Sequence, residues 1–163
     1  VSQTTGKTYF KVGMDCDDAP FNSQTKQQTS SSVIISDDSY SVGYDVNIAR
    51  KLAEETGAVI LVTGEVDIIA SPNKDTTYGI YNGSPNMAKV TGTGCMLTCI
   101  TGTYLAVTDA LTACILAAIT LDCAGECANA AKGLGTYHIE LINQLSVMTE
   151  DQITQLSNIQ RLL

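Results

Sequence analysis

Histidine, basic residues and long charge-free apolar runs are what this sequence has least of. One histidine, His138, stands among 163 residues. A zinc site built from cysteine and imidazole therefore has almost nothing to draw on, although cysteines stand four apart at Cys95/Cys99 and at Cys123/Cys127. Nine Lys and Arg against seventeen Asp and Glu give a net charge of −8. That balance argues against nucleic acid or an anionic membrane as the main partner, since both require a basic face. No stretch reads as a membrane span. Residues 90–108 carry no charge, but Thr and Gly run through them, and the expectation is a buried core segment. No signal-peptide pattern opens the sequence, and a cytoplasmic location is expected.

What is present is a globular composition. Hydrophobic residues make up 44 % of the chain, enough for one domain with a real core. Six cysteines invite a disulfide reading. Five of them, Cys95, Cys99, Cys114, Cys123 and Cys127, fall in segments with a helical pattern, among Ala, Leu and Ile. There they read as small buried hydrophobes in a reducing compartment.

Residues 9–14 read as a short strand, and 15–22 as the loop after it. The Ser, Thr, Gln and Asp of residues 23–41 predict a long loop with one short strand at 33–35. An amphipathic helix is predicted over 45–56, stopped by Gly57. The continuous apolar run 58–62 predicts a buried parallel strand, followed by a loop, 63–67, at its carboxyl end. Two further strands are predicted at 68–70 and 77–81. Helices follow at about 94–107, at 110–132 with Asp109 as N-cap, at 137–145, and at 150–160 behind a Thr149/Gln152 capping box. This order predicts an α/β layered fold, a sheet flanked by helices, with ligand loops at the carboxyl ends of strands.

The most informative residues are Val90-Thr91-Gly92-Thr93-Gly94-Cys95-Met96-Leu97-Thr98. Two glycines allow a tight turn, and a long apolar helix begins there. Such a turn aims several backbone N–H groups at one point, at the positive end of a helix dipole. That is an anion site, and phosphate is its usual occupant. Cys95 sits where negative charge is favoured and where a base for phosphate transfer is useful. The plainer alternative is that Gly92 and Gly94 only permit a strand-to-helix turn. Glu65 and Asp67, on the loop after the apolar run, either hold magnesium or are a pair of solvated loop charges. Lys89 reads as a surface lysine and His138 as a surface or half-buried helix residue without a role.

Over about residues 44–154 the chain resembles the C-terminal half of hydroxyethylthiazole kinase, a ribokinase-like enzyme of thiamine salvage. The resemblance is carried by IARKLAEETGAVILVTGEVDII (48–69), YNGSPNMAKVTGTGCMLT (81–98), AGE (124–126) and GTYHIELINQL (135–145). It implies a ribokinase-like, Rossmann-like partial domain. It also implies transfer of the ATP γ-phosphate to the hydroxyl of 4-methyl-5-(2-hydroxyethyl)thiazole, with magnesium, in a trimer. Under it, Thr63 contacts ATP and Gly92 meets the thiazole alcohol. The amides of Gly92, Thr93, Gly94 and Cys95 form the anion hole, and Cys95 takes the catalytic position. Residues 8–22 and 43–54 resemble instead the start of a polar amino-acid-binding protein of an ABC importer. On that reading the chain is a mosaic of an N-terminal segment, 1–43, and a kinase-like part, 44–163, joined within one helix and folded as one unit. Phe21 would then line an amino-acid pocket or, more simply, anchor a strand end.

Overall fold

The computed structural model describes residues 22–25, 33–36, 39–73, 76–130 and 132–162, with side-chain environments from residue 48 onward. The predicted strand at 9–14 and Phe21 lie outside the described residues. The chain divides into two compact units, residues 1–79 with 160–163, and residues 80–159.

The first unit opens with an antiparallel three-stranded sheet in the order β1-β3-β2, from β1 (Asn22–Thr25), β2 (Val33–Ser36) and β3 (Ser39–Gly43). The sequence reading gave one strand here. β1 is polar throughout and is held by backbone pairing, while β3 alternates Ser39 and Ser41 with Tyr40 and Val42. Helix α1 (Tyr44–Thr56) follows without a break. Gly57, at φ 68°, takes the left-handed position after it, and its N–H donates to Ala53 O at 3.0 Å. This is the αL stop that the glycine predicted.

Strand β4 (Ile60–Val62) is buried at all three residues, as the uninterrupted apolar run requires. It is not parallel to its neighbour, however. It pairs antiparallel with β5 (Asp67–Ala70), setting Ile60 opposite Ala70 and Val62 opposite Ile68. The connection, residues 63–66, is too short for a parallel crossover, which needs a dozen residues or more. β6 (Thr77–Ile80) and β7 (Ile159–Arg161) complete a second sheet in the order β4-β5-β6-β7. Ala49 and Ala53 of α1 pack with Ile60, Val62, Ile68 and Ala70 to form this unit's core.

The second unit is helical: α2 (Thr93–Leu105), α3 (Ala110–Cys127), α4 (Leu134–Val147) and α5 (Glu150–Leu156). Asp109 caps α3 as predicted, accepting from Leu111 N at 3.0 Å and Thr112 N at 3.1 Å. Thr149 and Gln152 form the predicted capping box on α5. α3 stops at Cys127 rather than near 132, tightening into a 3-10 turn, Ala128–Ala130. α5 stops at Leu156 rather than at 160, and the chain re-enters extended conformation as β7.

The segment Ala110–Ala130 is long and apolar enough to cross a membrane by length and composition, contrary to the sequence reading. In the fold it is a core helix. Its buried residues lie on all sides, from Ala113 and Ala117 to Leu121 and Cys123. α2 departs from expectation in the opposite direction. Only Leu97 is buried in it, so the uncharged stretch that begins at residue 90 is largely a surface helix.

Candidate functional site

The 92–95 turn is built by one glycine. Gly92 has φ 92° and ψ −6°, a left-handed conformation that L side chains rarely adopt. It closes the extended Val90 into α2, and the first helical bond runs from Met96 N to Gly92 O at 2.9 Å. A Cβ added at Gly92 or Gly94 would meet nothing within 4 Å. The left-handed backbone, and not crowding, is therefore what calls for glycine at position 92. The chain turns at Gly92 directly into α2 instead of running on extended.

Thr93, Gly94 and Cys95 form the first turn of α2. Amides in that position point out of the helix end, where the dipole favours an anion. The first turn carries no acidic residue to compete with one. Cys95 is exposed, one turn from the glycine that sets the corner. Lys89 is exposed and its Nζ donates to Asn86 Oδ1 at 3.3 Å, as a surface lysine does.

Thr63, Glu65 and Asp67 belong to the first unit. Thr63 directly follows β4 and is half-buried. Asp67 is 5 % exposed, and its Oδ1 accepts from Gly64 N at 2.9 Å, closing the loop on itself. Glu65 is exposed at the tip of that loop. Among the described residues no group of three or more His, Cys, Asp or Glu gathers in a metal-holding arrangement.

The cysteines divide into two kinds. Cys114 and Cys123 are buried, as expected of packing residues, and Cys127 is half-buried. Cys99 is exposed, one turn after Cys95 on α2, and is not a core residue. None of the five described cysteines is in a disulfide. Burial, followed by the nearby charges of Glu126 and Asp122, pushes the Cys123 thiol up to about 12.

One polar cluster went unread in the sequence. Asn82, 8 % exposed, donates through Nδ2 to Glu126 Oε1 at 3.1 Å and to Leu156 O at 2.9 Å. Its Oδ1 accepts from Asn158 N at 2.6 Å. Gly83 N donates to the same Glu126 oxygen at 2.9 Å. The available signal was an acidic residue near the end of an Ala- and Cys-rich helix, where the dipole disfavours negative charge.

A family model described as the hydroxyethylthiazole kinase family matches residues 26–151. The chain belongs to this family. The hydroxyethylthiazole kinase of Pyrococcus furiosus is 34 % identical over 122 residues, 72 % of this chain and 45 % of that protein. Hydroxyethylthiazole kinase 1 of Methanosphaera stadtmanae is 36 % identical over 121 residues, 71 % of this chain and 42 % of that protein. A solved structure of the hydroxyethylthiazole kinase protein from Pyrococcus horikoshii OT3 superposes with a TM-score of 0.66 at 32 % identity, covering 74 % of this chain and 48 % of that one. The α/β ribokinase-like assignment stands on that superposition. The chain spans less than half the length of these relatives. The family match also takes in 43–54 and reaches back to residue 26, so the importer resemblance of this part has no support from it.

Proposed function

We propose that this chain is the phosphate-receiving portion of a hydroxyethylthiazole kinase, acting in thiamine synthesis and salvage. In the proposed reaction the alcohol oxygen of 4-methyl-5-(2-hydroxyethyl)thiazole attacks the γ-phosphorus of ATP. The bond from that phosphorus to the bridging oxygen breaks, and ADP leaves. Cys95 serves as the general base that takes the alcohol proton. The amides at residues 92–95 meet the charge on the phosphoryl oxygens, a contribution of roughly 3 kcal/mol for each well-placed donor. Phosphoryl transfer asks mainly for such positioning and charge stabilisation. Gly92 is proposed to lie against the alcohol, and Thr63 to contact the nucleotide.

The observation that carries this reading is the open, glycine-closed turn at the head of α2, inside the matched range. Magnesium, when bound with the nucleotide, offsets phosphate charge. Of the acidic pair, exposed Glu65 is the residue proposed to reach it through water, while Asp67 shapes the loop. Exposed Ile139, Ile142 and Val147 on α4 support association with further chains, as in a homo-oligomer, and mass in solution measures that directly.

The test is titration of the chain with ATP–magnesium and with the thiazole alcohol, followed by a phosphorylation assay. Binding of both is expected. Cys95→Ala should keep binding and lower turnover by roughly 10²-fold or more, as loss of a general base does. Absence of binding to either ligand overturns the reading.

A further inference from the structure

We propose that Glu126 is a positioning residue that fixes the 92–95 turn through the loop before it. This rests on the kinase reading only for its consequence in activity. The geometry stands without it.

Glu126 lies in the last turn of α3, beside residues with apolar side chains. A carboxylate there opposes the helix dipole. Sites that break a local rule are those where the residue serves something else. Here one oxygen, Oε1, receives both Asn82 Nδ2 and Gly83 N. Asn129, three residues on, accepts the Ser84 hydroxyl through Oδ1. Two side chains on the end of α3 and its following 3-10 turn thus hang three consecutive loop residues.

The loop then carries that placement to the anion turn. Ser84 Oγ accepts from Asn86 N at 3.2 Å, which starts the 3-10 turn Met87–Lys89. The side chain of Met87 packs on Gly125, the residue before Glu126, so tightly that a Cβ there would collide with its sulfur. Met87 O in turn accepts from Thr93 Oγ1 at 3.4 Å, inside the first turn of α2. The loop is held at both ends by neighbours in sequence, residues 125 and 126.

Removing the carboxyl group strips Gly83 N of this acceptor and Asn82 of one of its two. The loop is then tethered to α3 mainly through Asn129 and Met87. Glu126→Gln keeps an acceptor oxygen at the same reach.

The experiment compares amide hydrogen exchange in the full chain and in Glu126→Ala, Glu126→Gln and Asn129→Ala, with kinase kinetics beside it. Glu126→Ala should speed exchange at residues 83–89 and 95–97 roughly tenfold or more, beyond any change in the central turns of α4. Glu126→Gln should stay within about twofold of the parent. Where the parent phosphorylates the thiazole alcohol, Glu126→Ala should raise KM for ATP more than it lowers kcat. Unchanged exchange at 95–97, or acceleration equal across α2, α3 and α4, overturns the proposal. Asn129 is exposed, so Asn129→Ala gives the same readout on a folded chain if Glu126→Ala does not fold; no loosening at 84–89 there overturns it too. A parent without kinase activity sinks the functional reading and leaves the exchange result to decide this one.

Discussion

α2 and α3 look alike as strings and differ as objects. TGCMLTCITGTYL and ALTACILAAITLDCAGEC are both apolar, and neither shows a clean polar face. Yet α3 is the buried axis of its unit, while α2 buries Leu97 alone. The difference lies in what each places on its surface. α3 offers Ala, Leu and Ile, which gain by leaving water. α2 offers Gly and Thr over much of its surface, which gain little by burial. Three of its threonines turn their hydroxyls back onto the helix: Thr98 to Gly94 O, Thr101 to Leu97 O and Thr103 to Cys99 O. An uncharged helix is therefore not the same thing as a core helix. In this chain the exposed one carries the candidate site at its head.

The sharpest way to break the comparison is to truncate the buried helix. Leu121 is 2 % exposed on α3. Leu121→Ala should cost about 2–5 kcal/mol, the usual range for a truncated core leucine. Cys99→Ser, on the exposed face of α2, should stay within about 0.5 kcal/mol. Urea denaturation at constant slope measures both. Equal losses would mean that α2 is as buried as α3.

Much of this contrast was not legible in the sequence, for a physical reason. Signals that act over a few residues read through. Asp109, the Thr149/Gln152 box and Gly57 each end or begin a helix where predicted, because caps satisfy backbone groups two to four residues away. Signals that depend on distant partners did not. Strand β7 exists beside β6, and Asn158 beside it is tied to Asn82, 76 residues earlier. Glu126 meets its loop across 43 residues or more. Polar β1 has no apolar alternation to announce it. Of the candidate site, the 92–95 turn was legible, since a glycine needed for φ acts locally. The platform behind it was not.

The cysteines sharpen the comparison chemically. Cys123 on α3 holds its proton to about pH 12, because burial and the neighbouring acids disfavour the thiolate. In the unfolded chain it titrates near the ordinary thiol value, about 8.5. Between those values the folded state binds one proton more than the unfolded state, so stability falls as pH rises. One such proton gives a slope of at most about 1.4 kcal/mol per pH unit. Cys123→Ala should flatten the fall in Tm above pH 9. A thiol-alkylating reagent should label Cys95 and Cys99 in the native protein, and Cys114 and Cys123 only on unfolding. An unchanged alkaline slope in Cys123→Ala would show that the thiol is not the group responsible.

The smallest expected effect lies at the junction of the two helices. Asp109 ends the α2–α3 connection and caps α3. Its hydrogen bonds from Thr112, side chain first and then backbone, hold its carboxyl below the usual carboxylate range. A depressed pKa means that the unfolded chain binds the proton first as pH falls. The stability it adds is thus fully present above the ordinary aspartate value and drains away below it, through the folded pKa. Asp109→Ala should cost about 1 kcal/mol at neutral pH, the typical worth of an N-cap. Asp109→Asn should cost only a few tenths, because asparagine caps nearly as well and loses only the charge at the helix head. The two variants should therefore differ at pH 7, while Asp109→Asn and the parent converge under acid conditions. Should Asp109→Asn lose as much as Asp109→Ala at pH 7, the carboxylate charge, and not the hydrogen-bond geometry of the cap, would be what starts the buried helix.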